Sequence, residues 1–171
     1  MLKRITFGRP PGPAPAEPLR VVVCEPLEGG EAVTFEWFAD DARLPDGDTV
    51  ATEVVVRGAD WLEGRWRDGA PRYKHLAVAT RAAGLSREEF ARRWRAHAGT
   101  AGGTPVPDVA KGQAYVQNHV VSGPGDAVNE VYFDDLADLR ARAAWFEGRP
   151  FDRDLFSSSR LICVREVLVT K

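Results

Sequence analysis

The feature that most constrains the fold is a series of short apolar runs of strand length, separated by turn residues, with two longer helical segments among the later runs. Beyond residue 70 the predicted order is strand, helix, strand, strand, helix and strand. The predicted strands cover 73–81, 113–121, 128–133 and 160–169, and the predicted helices cover 86–98 and 135–146. Such an order places four strands in one antiparallel sheet and packs both helices against it.

This order is that of the ferredoxin-like βαββαβ unit, so the sequence predicts an α+β fold over residues 71–171. The preceding residues 19–70 contain strand-like runs at 19–24, 33–38 and 50–57. Because two of these runs resemble later ones, this N-terminal segment is interpreted either as a degenerate second half of the same fold or as an extension. Residues 1–18 are interpreted as a proline-rich tail, because prolines lack a backbone donor and do not pair within a sheet.

Composition restricts the partners and the compartment. Hydrophobic residues make up 44% of the chain and charged residues 28%, which is ordinary for a globular protein. The formal net charge is −2 with acids and bases interspersed, so no basic patch supports a nucleic-acid partner or a membrane-surface partner. No secretory signal and no apolar run of membrane-spanning length is recognised, which predicts a cytoplasmic protein. The abundance of Ala, Arg, Gly and Asp is typical of a high-GC bacterial gene.

The helix predicted over 86–98 carries the first candidate site residue. Ser86 is predicted to be its N-cap, and Glu89 is predicted to reach back to the Ser86 amide in a capping box. Phe90, Trp94 and His97 follow at positions i, i+4 and i+7. One face of the helix therefore carries two aromatic rings and ends in an imidazole.

Three segments resemble a known family. Residues 84–98 contain Gly-Leu-Ser-Arg-Glu-Glu-Phe followed by Trp94 and, three residues later, His97, which resembles the opening motif of the EthD family. Residues 112–119 resemble the next strand of that family, with a tyrosine, a glutamine and a second histidine, and residues 129–136 resemble its third block. The resemblance implies a dimeric α/β barrel, formed by a homodimer or, if the N-terminal segment supplies the second half, by an intrachain pseudo-dimer.

The resemblance also implies a pocket between the helices and one sheet, and a small aromatic or polyketide-like ligand. Proteins of the implied fold include polyketide cyclases and cofactor-free monooxygenases, and similar fungal proteins are dehydratases or decarboxylases. The predicted function is therefore a cofactor-independent enzyme of aromatic or polyketide-type secondary metabolism, of the lyase or cyclase type. The two alternatives are a non-catalytic accessory protein that binds a small molecule and a cofactor-free monooxygenase.

His97 and His119 are the predicted catalytic residues. An imidazole accepts and returns protons near neutral pH, as cyclisation, dehydration or decarboxylation requires. The alternative for His97 is a helix-end histidine that interacts with the C-terminal carbonyls, and for His119 it is a place on a solvent-facing edge strand. Tyr115 and Gln117 share a strand face with His119. The predicted substrate-binding residues are Tyr73, His75, Trp94, Tyr115, Gln117 and Glu130.

No cofactor and no metal site is predicted. The three histidines, at positions 75, 97 and 119, lack the spacing of a zinc site. The sequence has no glycine-rich dinucleotide motif, no nucleophile elbow and no Walker motif. Haem is left as an option in which one histidine ligates the iron, without an attachment motif to support it.

Overall fold

The computed structural model describes residues 1–14, 16–45, 47–65, 67, 70 and 72–170, with the backbone alone at 168 and 169. Residues 71 and 171, the first and last residues of the predicted βαββαβ unit, lie outside the described residues. The strands are β1 (Leu2–Phe7), β2 (Arg20–Pro26), β3 (Val33–Phe38), β4 (Thr49–Arg57), β5 (Arg72–Arg81), β6 (Thr100–Ala101), β7 (Thr104–Pro105), β8 (Ala114–Ser122), β9 (Ala127–Phe133) and β10 (Phe156–Thr170). The helices are α1 (Ala59–Gly64), α2 (Arg87–Ala96), α3 (Asp108–Lys111) and α4 (Leu136–Phe146).

Eight of the strands form a closed antiparallel barrel in the order β1-β3-β2-β10-β5-β9-β8-β4. The pairing of β4 with β1 closes it. The strands β1 to β4 lie side by side and form one half of the barrel, and β5, β8, β9 and β10 form the other half. The first half has the order β4-β1-β3-β2 around the barrel, and the second half has the order β10-β5-β9-β8. When the strands of each half are numbered 1 to 4 along the chain, both orders are 4-1-3-2. The short strands β6 and β7 form a separate hairpin.

The predicted fold class is wrong. The prediction was an α+β ferredoxin-like βαββαβ sheet that takes part in a dimeric α/β barrel, with a degenerate N-terminal second half as an option. The structure is mostly an antiparallel β-barrel that closes within one chain, and its described helices have only 6, 10, 4 and 11 residues. The physical reason is that the N-terminal strands cover both edges of the later sheet. Strand β2 pairs with β10 and β4 pairs with β8, so neither edge is left with unpaired backbone groups.

The first strand corrects the prediction of a tail over residues 1–18. Leu2–Phe7 lies in the barrel wall between β3 and β4, and Lys3 and Arg4 within it are buried. Because two basic residues are adjacent in this run, it lacks the alternation of apolar and polar residues by which a strand is predicted. The proline-rich residues 8–14 and 16–18 have no helix or strand.

Side chains fill the barrel interior. Positions along each strand face alternately inward and outward. One part of the interior contains the fully buried polar side chains of Lys3, Lys74, Glu130 and Tyr132. The other part is apolar, and its buried members are Ile5, Val22, Cys24, Val33, Phe35, Trp37, Ala51, Leu76, Val120, Val128 and Val164.

The N-cap prediction for α2 is confirmed, whereas the predicted return bond is not formed. The hydroxyl of Ser86 accepts a hydrogen bond from the backbone N–H of Glu89, with an N–O distance of 3.1 Å. The carboxylate of Glu89 does not reach back; it accepts hydrogen bonds from Arg92 and Arg93 instead. Two guanidinium groups one turn away are stronger partners for a carboxylate than a single amide is.

The apolar face of α2 packs on the outer face of the barrel. Phe90 and Trp94 are buried there against Ala79, Ala127 and Leu155. This packing fixes the end of α2 above β5 and β9. No helix in the described part of the chain is long and apolar enough to cross a membrane.

Candidate ligand-binding site

A cavity of about 630 Å³ lies on the outer face of the barrel. Its floor contains outward-facing side chains of β5 and β9, including Ala77, Ala79 and Val131. The helices α2 and α4 and the segments 98–106 and 149–155 surround it. The volume is within the range of small-molecule sites, which is about 300–1,000 Å³.

The cavity wall is mostly apolar, with a few polar and charged side chains. Its larger apolar members are Trp94, Phe146, Phe151, Leu155, Phe156 and Leu161. The side chains with polar or charged groups include Arg57, His97, Lys111, Tyr115, Asn129, Arg142, Arg149 and Asp152. A wall of this kind suits a ligand with a large apolar part and a few polar groups.

His97 is the C-cap residue of α2 and lines the cavity. Its backbone N–H donates to the carbonyl of Arg93, which holds the end of the helix in place. The side chain is 45% exposed, and its Nδ1 lies 4.0 Å from Oδ2 of Asp152. That distance exceeds a hydrogen bond but brings a carboxylate close to the imidazole, so protonation of His97 would form an ion pair.

Tyr115 lines the cavity from β8. Its phenolic oxygen accepts a hydrogen bond from Nε2 of Gln117 over 3.0 Å. Burial raises the pKa of the Tyr115 phenol, and hydrogen bonds with the side chains of Gln117 and Asn129 offset part of this effect. The phenol therefore keeps its proton at neutral pH and can donate a hydrogen bond to a ligand in the cavity.

Arg142 is a cavity residue that the sequence did not reveal. It lies on α4 and is only 6% exposed. Its Nε donates to Nδ1 of His75 over 3.1 Å and its Nη1 to the carbonyl of Ala110 over 2.6 Å. Burial lowers the pKa of Arg142 to about 10, so the guanidinium is still charged at neutral pH. An arginine in a short helix carries no local signal for such a role, and the same is true of Asp152 in its loop.

His75 lies behind Arg142, and the described side chains that line the cavity do not include it. It is 1% exposed, and its ring lies 5.5 Å from that of Phe146. Burial and the nearby Arg142 charge lower the pKa of His75 to about 3. The imidazole is therefore neutral and acts as an acceptor that orients Arg142. Tyr73, two residues earlier, packs against the apolar cluster around Phe133 and is also outside the described cavity lining.

The structure does not bring the two predicted catalytic histidines together. His119 lies on β8, and its ring is 4.8 Å from that of Trp94. Trp94 and His97 line the cavity, whereas His119 is not among the described lining residues. Burial, with a smaller contribution from Arg95, lowers the pKa of His119. Gln117 is fully buried and donates to the backbone carbonyl of Trp94 and to Tyr115. It therefore supports the cavity wall from behind.

Glu130 lies inside the barrel and not in the cavity wall. Its carboxylate accepts hydrogen bonds from Lys3, from Lys74 over 2.9 Å, from Tyr132 over 2.7 Å and from Asn118 over 3.0 Å. Burial opposes ionisation, but the charges of Lys3 and Lys74 and the hydrogen bonds outweigh it and hold the pKa of Glu130 well below its usual range. Its place is that of the central anion of a buried ion network.

The described residues contain no group of three or more His, Cys, Asp or Glu side chains arranged to hold a metal ion. The fold and the cavity define the class: a closed antiparallel β-barrel with a small-molecule cavity between its outer face and two helices. No family model, no curated protein and no solved structure matches the chain. The resemblance to the EthD family therefore rests on the three sequence segments alone.

Proposed function

We propose that the protein is a cofactor-independent enzyme that binds an aromatic or polyketide-like compound in the outer cavity and transfers protons through His97. The observation that carries this proposal is the position of His97 beside a mostly apolar cavity with Asp152 4.0 Å from its imidazole. The cavity is large enough for a compound of two or three fused rings. The resemblance to the EthD family supports the same class of compound.

The geometry suggests a division of roles. His97 takes a proton from a carbon acid or a phenol of the substrate, and Asp152 stabilises the imidazolium that forms. The Tyr115 phenol and the Arg142 guanidinium, which both line the cavity, bind a polar group of the substrate and orient it towards His97. In cyclisation and dehydration, His97 then returns the proton to the new alkoxide or to the leaving hydroxyl. In decarboxylation, the bond to the carboxylate breaks, CO2 leaves, and His97 gives its proton to the carbon that keeps the electron pair. This scheme covers cyclisation, dehydration and decarboxylation, which belong to the predicted lyase or cyclase type.

The test is turnover by matched histidine variants. Wild type, His97→Ala and His119→Ala are incubated with phenols, anthrones and β-ketoacids, and products are followed by mass spectrometry. We expect His97→Ala to lower kcat by at least about 100-fold while ligand binding is retained, since general acid–base catalysis contributes about that much. His119→Ala, which changes a histidine outside the described cavity lining, should keep turnover within a few fold. Equal turnover by wild type and His97→Ala would contradict the proposal.

The second candidate is a non-catalytic protein that binds a small molecule in the same cavity. It is favoured by one observation: Nδ1 of His97 lies 4.0 Å from Asp152, which is too far for a hydrogen bond. The carboxylate therefore does not orient the imidazole for catalysis. A compound that stabilises the wild type against heat but is recovered unchanged would support this candidate. Oxygen consumption with a phenolic compound would instead support the cofactor-free monooxygenase.

A further inference from the structure

Arg142 differs from other buried cations of this chain in the partners of its charge. Inside the barrel, Lys74 forms an ion pair with Glu130, with an N–O distance of 2.9 Å. On the outer face, Arg4 pairs with Glu36 over 2.6 Å. The hydrogen-bond partners of Arg142 are both neutral, an imidazole and a backbone carbonyl, and its guanidinium also lies over the ring of Phe146 at 4.6 Å. No carboxylate among the described residues forms a salt bridge with Arg142.

A buried cation without a counter-charge is unfavourable, because the surrounding protein replaces only part of its hydration. The Nε and Nη1 groups of Arg142 are occupied, and Nη2 has no hydrogen-bond partner among the described residues. Since Arg142 lines the cavity, this group is available to a ligand. An anion bound there would supply the missing partner and accept charge-assisted hydrogen bonds.

The rest of the cavity has the same electrostatic character. Three more cations line it, namely Arg57, Lys111 and Arg149, whereas Asp152 is the single carboxylate among the described lining residues. All three additional cations are exposed, and Lys111 already pairs with Asp108 over 2.6 Å. The charges of Arg57 and Arg149 therefore attract an anion without fixing its position. The phenol of Tyr115 offers a second, neutral donor in the wall of the same cavity.

We propose that Arg142 and Tyr115 form a carboxylate subsite, and that the ligand is an aromatic or polyketide-like acid whose apolar part fills the remainder of the cavity. One carboxylate oxygen accepts from Nη2 of Arg142 and the other from the Tyr115 hydroxyl. His75 is a positioning residue, because it holds Nε of Arg142 without neutralising its charge. This inference rests on the proposed function for the location of the ligand and adds the chemical class of that ligand.

The first experiment uses the wild type with three probes at neutral pH, measured by titration calorimetry. The probes are 2-naphthoate, its neutral and nearly isosteric amide, and acetate, which has the charge without the ring. We expect 2-naphthoate to bind at least about tenfold more tightly than 2-naphthamide, because a hydrogen bond between charged groups contributes more to binding than one with a neutral acceptor. Acetate should bind weakly, because it fills none of the apolar cavity.

The second experiment assigns the preference to Arg142. Arg142→Met should weaken 2-naphthoate binding by about ten- to a hundredfold and leave 2-naphthamide binding unchanged. The control is Arg140→Met, which also removes a positive charge from α4 but at an exposed position outside the described cavity lining; it should bind both probes as the wild type does. His75→Glu is a second variant, which places a carboxylate against Arg142 and should also weaken binding of the acid alone.

Each outcome decides one question. Absence of an acid preference in the wild type, or a preference that survives both Arg142→Met and His75→Glu, overturns the carboxylate subsite. Acetate binding as tight as 2-naphthoate binding overturns the aromatic acid as the ligand. If Arg142→Met does not fold, the wild-type comparison and His75→Glu decide the matter. An acid preference without turnover of any acid removes the enzyme proposal and keeps the subsite, whereas turnover of neutral compounds without the preference does the reverse.

Discussion

Arg142 donates a hydrogen bond from its Nε to Nδ1 of His75 over 3.1 Å, which joins α4 to β5. A neutral imidazole therefore takes the place that a carboxylate holds beside most buried arginines. The bond orients the guanidinium towards the cavity without cancelling its charge. It also links the stability of the fold to the protonation state of one buried histidine.

His75→Gln should reduce the sensitivity of the fold to mild acid. The pKa of His75 is lowered from 6.5 to about 3, so between these values the unfolded chain binds a proton at this site and the folded chain does not. Stability therefore rises with pH across this window and is lost as pH falls below the unfolded value. For the wild type we expect His75 to lower the free energy of unfolding by about 2 kcal/mol between roughly pH 7.5 and pH 5.

The measurement is urea unfolding of wild type and His75→Gln at both pH values, followed by circular dichroism. The amide keeps a hydrogen-bond acceptor for Arg142 but does not titrate. The variant should lose about 2 kcal/mol less than the wild type on acidification. The same loss in both proteins would show that His75 is not buried in the neutral form.

Glu130→Gln should destabilise the barrel strongly. The substitution removes the charge that Lys3 and Lys74 share and keeps the shape of the side chain. Removal of one partner from a buried ion pair typically costs about 3–5 kcal/mol. Lys3 keeps Glu53 and Lys74 keeps Glu166 as ion-pair partners, so we expect a cost at the lower end, about 3 kcal/mol. The free energy of unfolding in urea measures the effect.

The matched control for Glu130→Gln is Glu25→Gln. Glu25 pairs with Arg165 over 3.2 Å, and both side chains are exposed. An exposed pair of this kind contributes about 0–1 kcal/mol, so the control should change little. Similar effects of the two substitutions would argue against a buried network.

Gly123→Ala should destabilise the protein more than Gly125→Ala, although both glycines lie in the β8–β9 turn. Both have positive φ, +86° and +80°, so each substitution incurs the left-handed penalty of about 1–2 kcal/mol. A Cβ at Gly123 would also overlap the carbonyl of Asp48, next to β4, whereas the nearest atom to a Cβ at Gly125 is 3.7 Å away. We expect Gly123→Ala to cost about 1–3 kcal/mol more in thermal or urea unfolding. Equal costs would mean that the turn does not pack on the start of β4.

Ala77→Phe should block the cavity without unfolding the protein. Ala77 lies on the cavity floor, so a phenyl ring there occupies space that a ligand would need. Binding of 2-naphthoate should be lost, while the melting temperature without ligand stays close to that of the wild type. Ala137→Phe, on the exposed side of α4, is the control and should bind normally. Unchanged binding by Ala77→Phe would place the ligand elsewhere.

Local sequence patterns were sufficient for many elements. The runs predicted at 33–38 and 128–133 are the strands β3 and β9, and Ser86 caps α2. Side-chain period and capping chemistry act over a few residues, so a single sequence reveals them. Helical spacing also predicted that Trp94 and His97 share one face. In the structure Trp94 lies on α2, His97 is the C-cap residue of that helix, and both line one cavity.

The strand and helix pattern by itself determined which residues share a face and where most elements begin. Only the tertiary structure decided that the chain closes into one barrel, because the partner of an edge strand depends on segments far away in sequence. Lys3 meets Glu130 across 127 residues, and Arg142 meets His75 across 67. No local period relates such residues. The cationic part of the cavity, like the separation of His97 from His119, follows from these long-range contacts and could be read only from the fold.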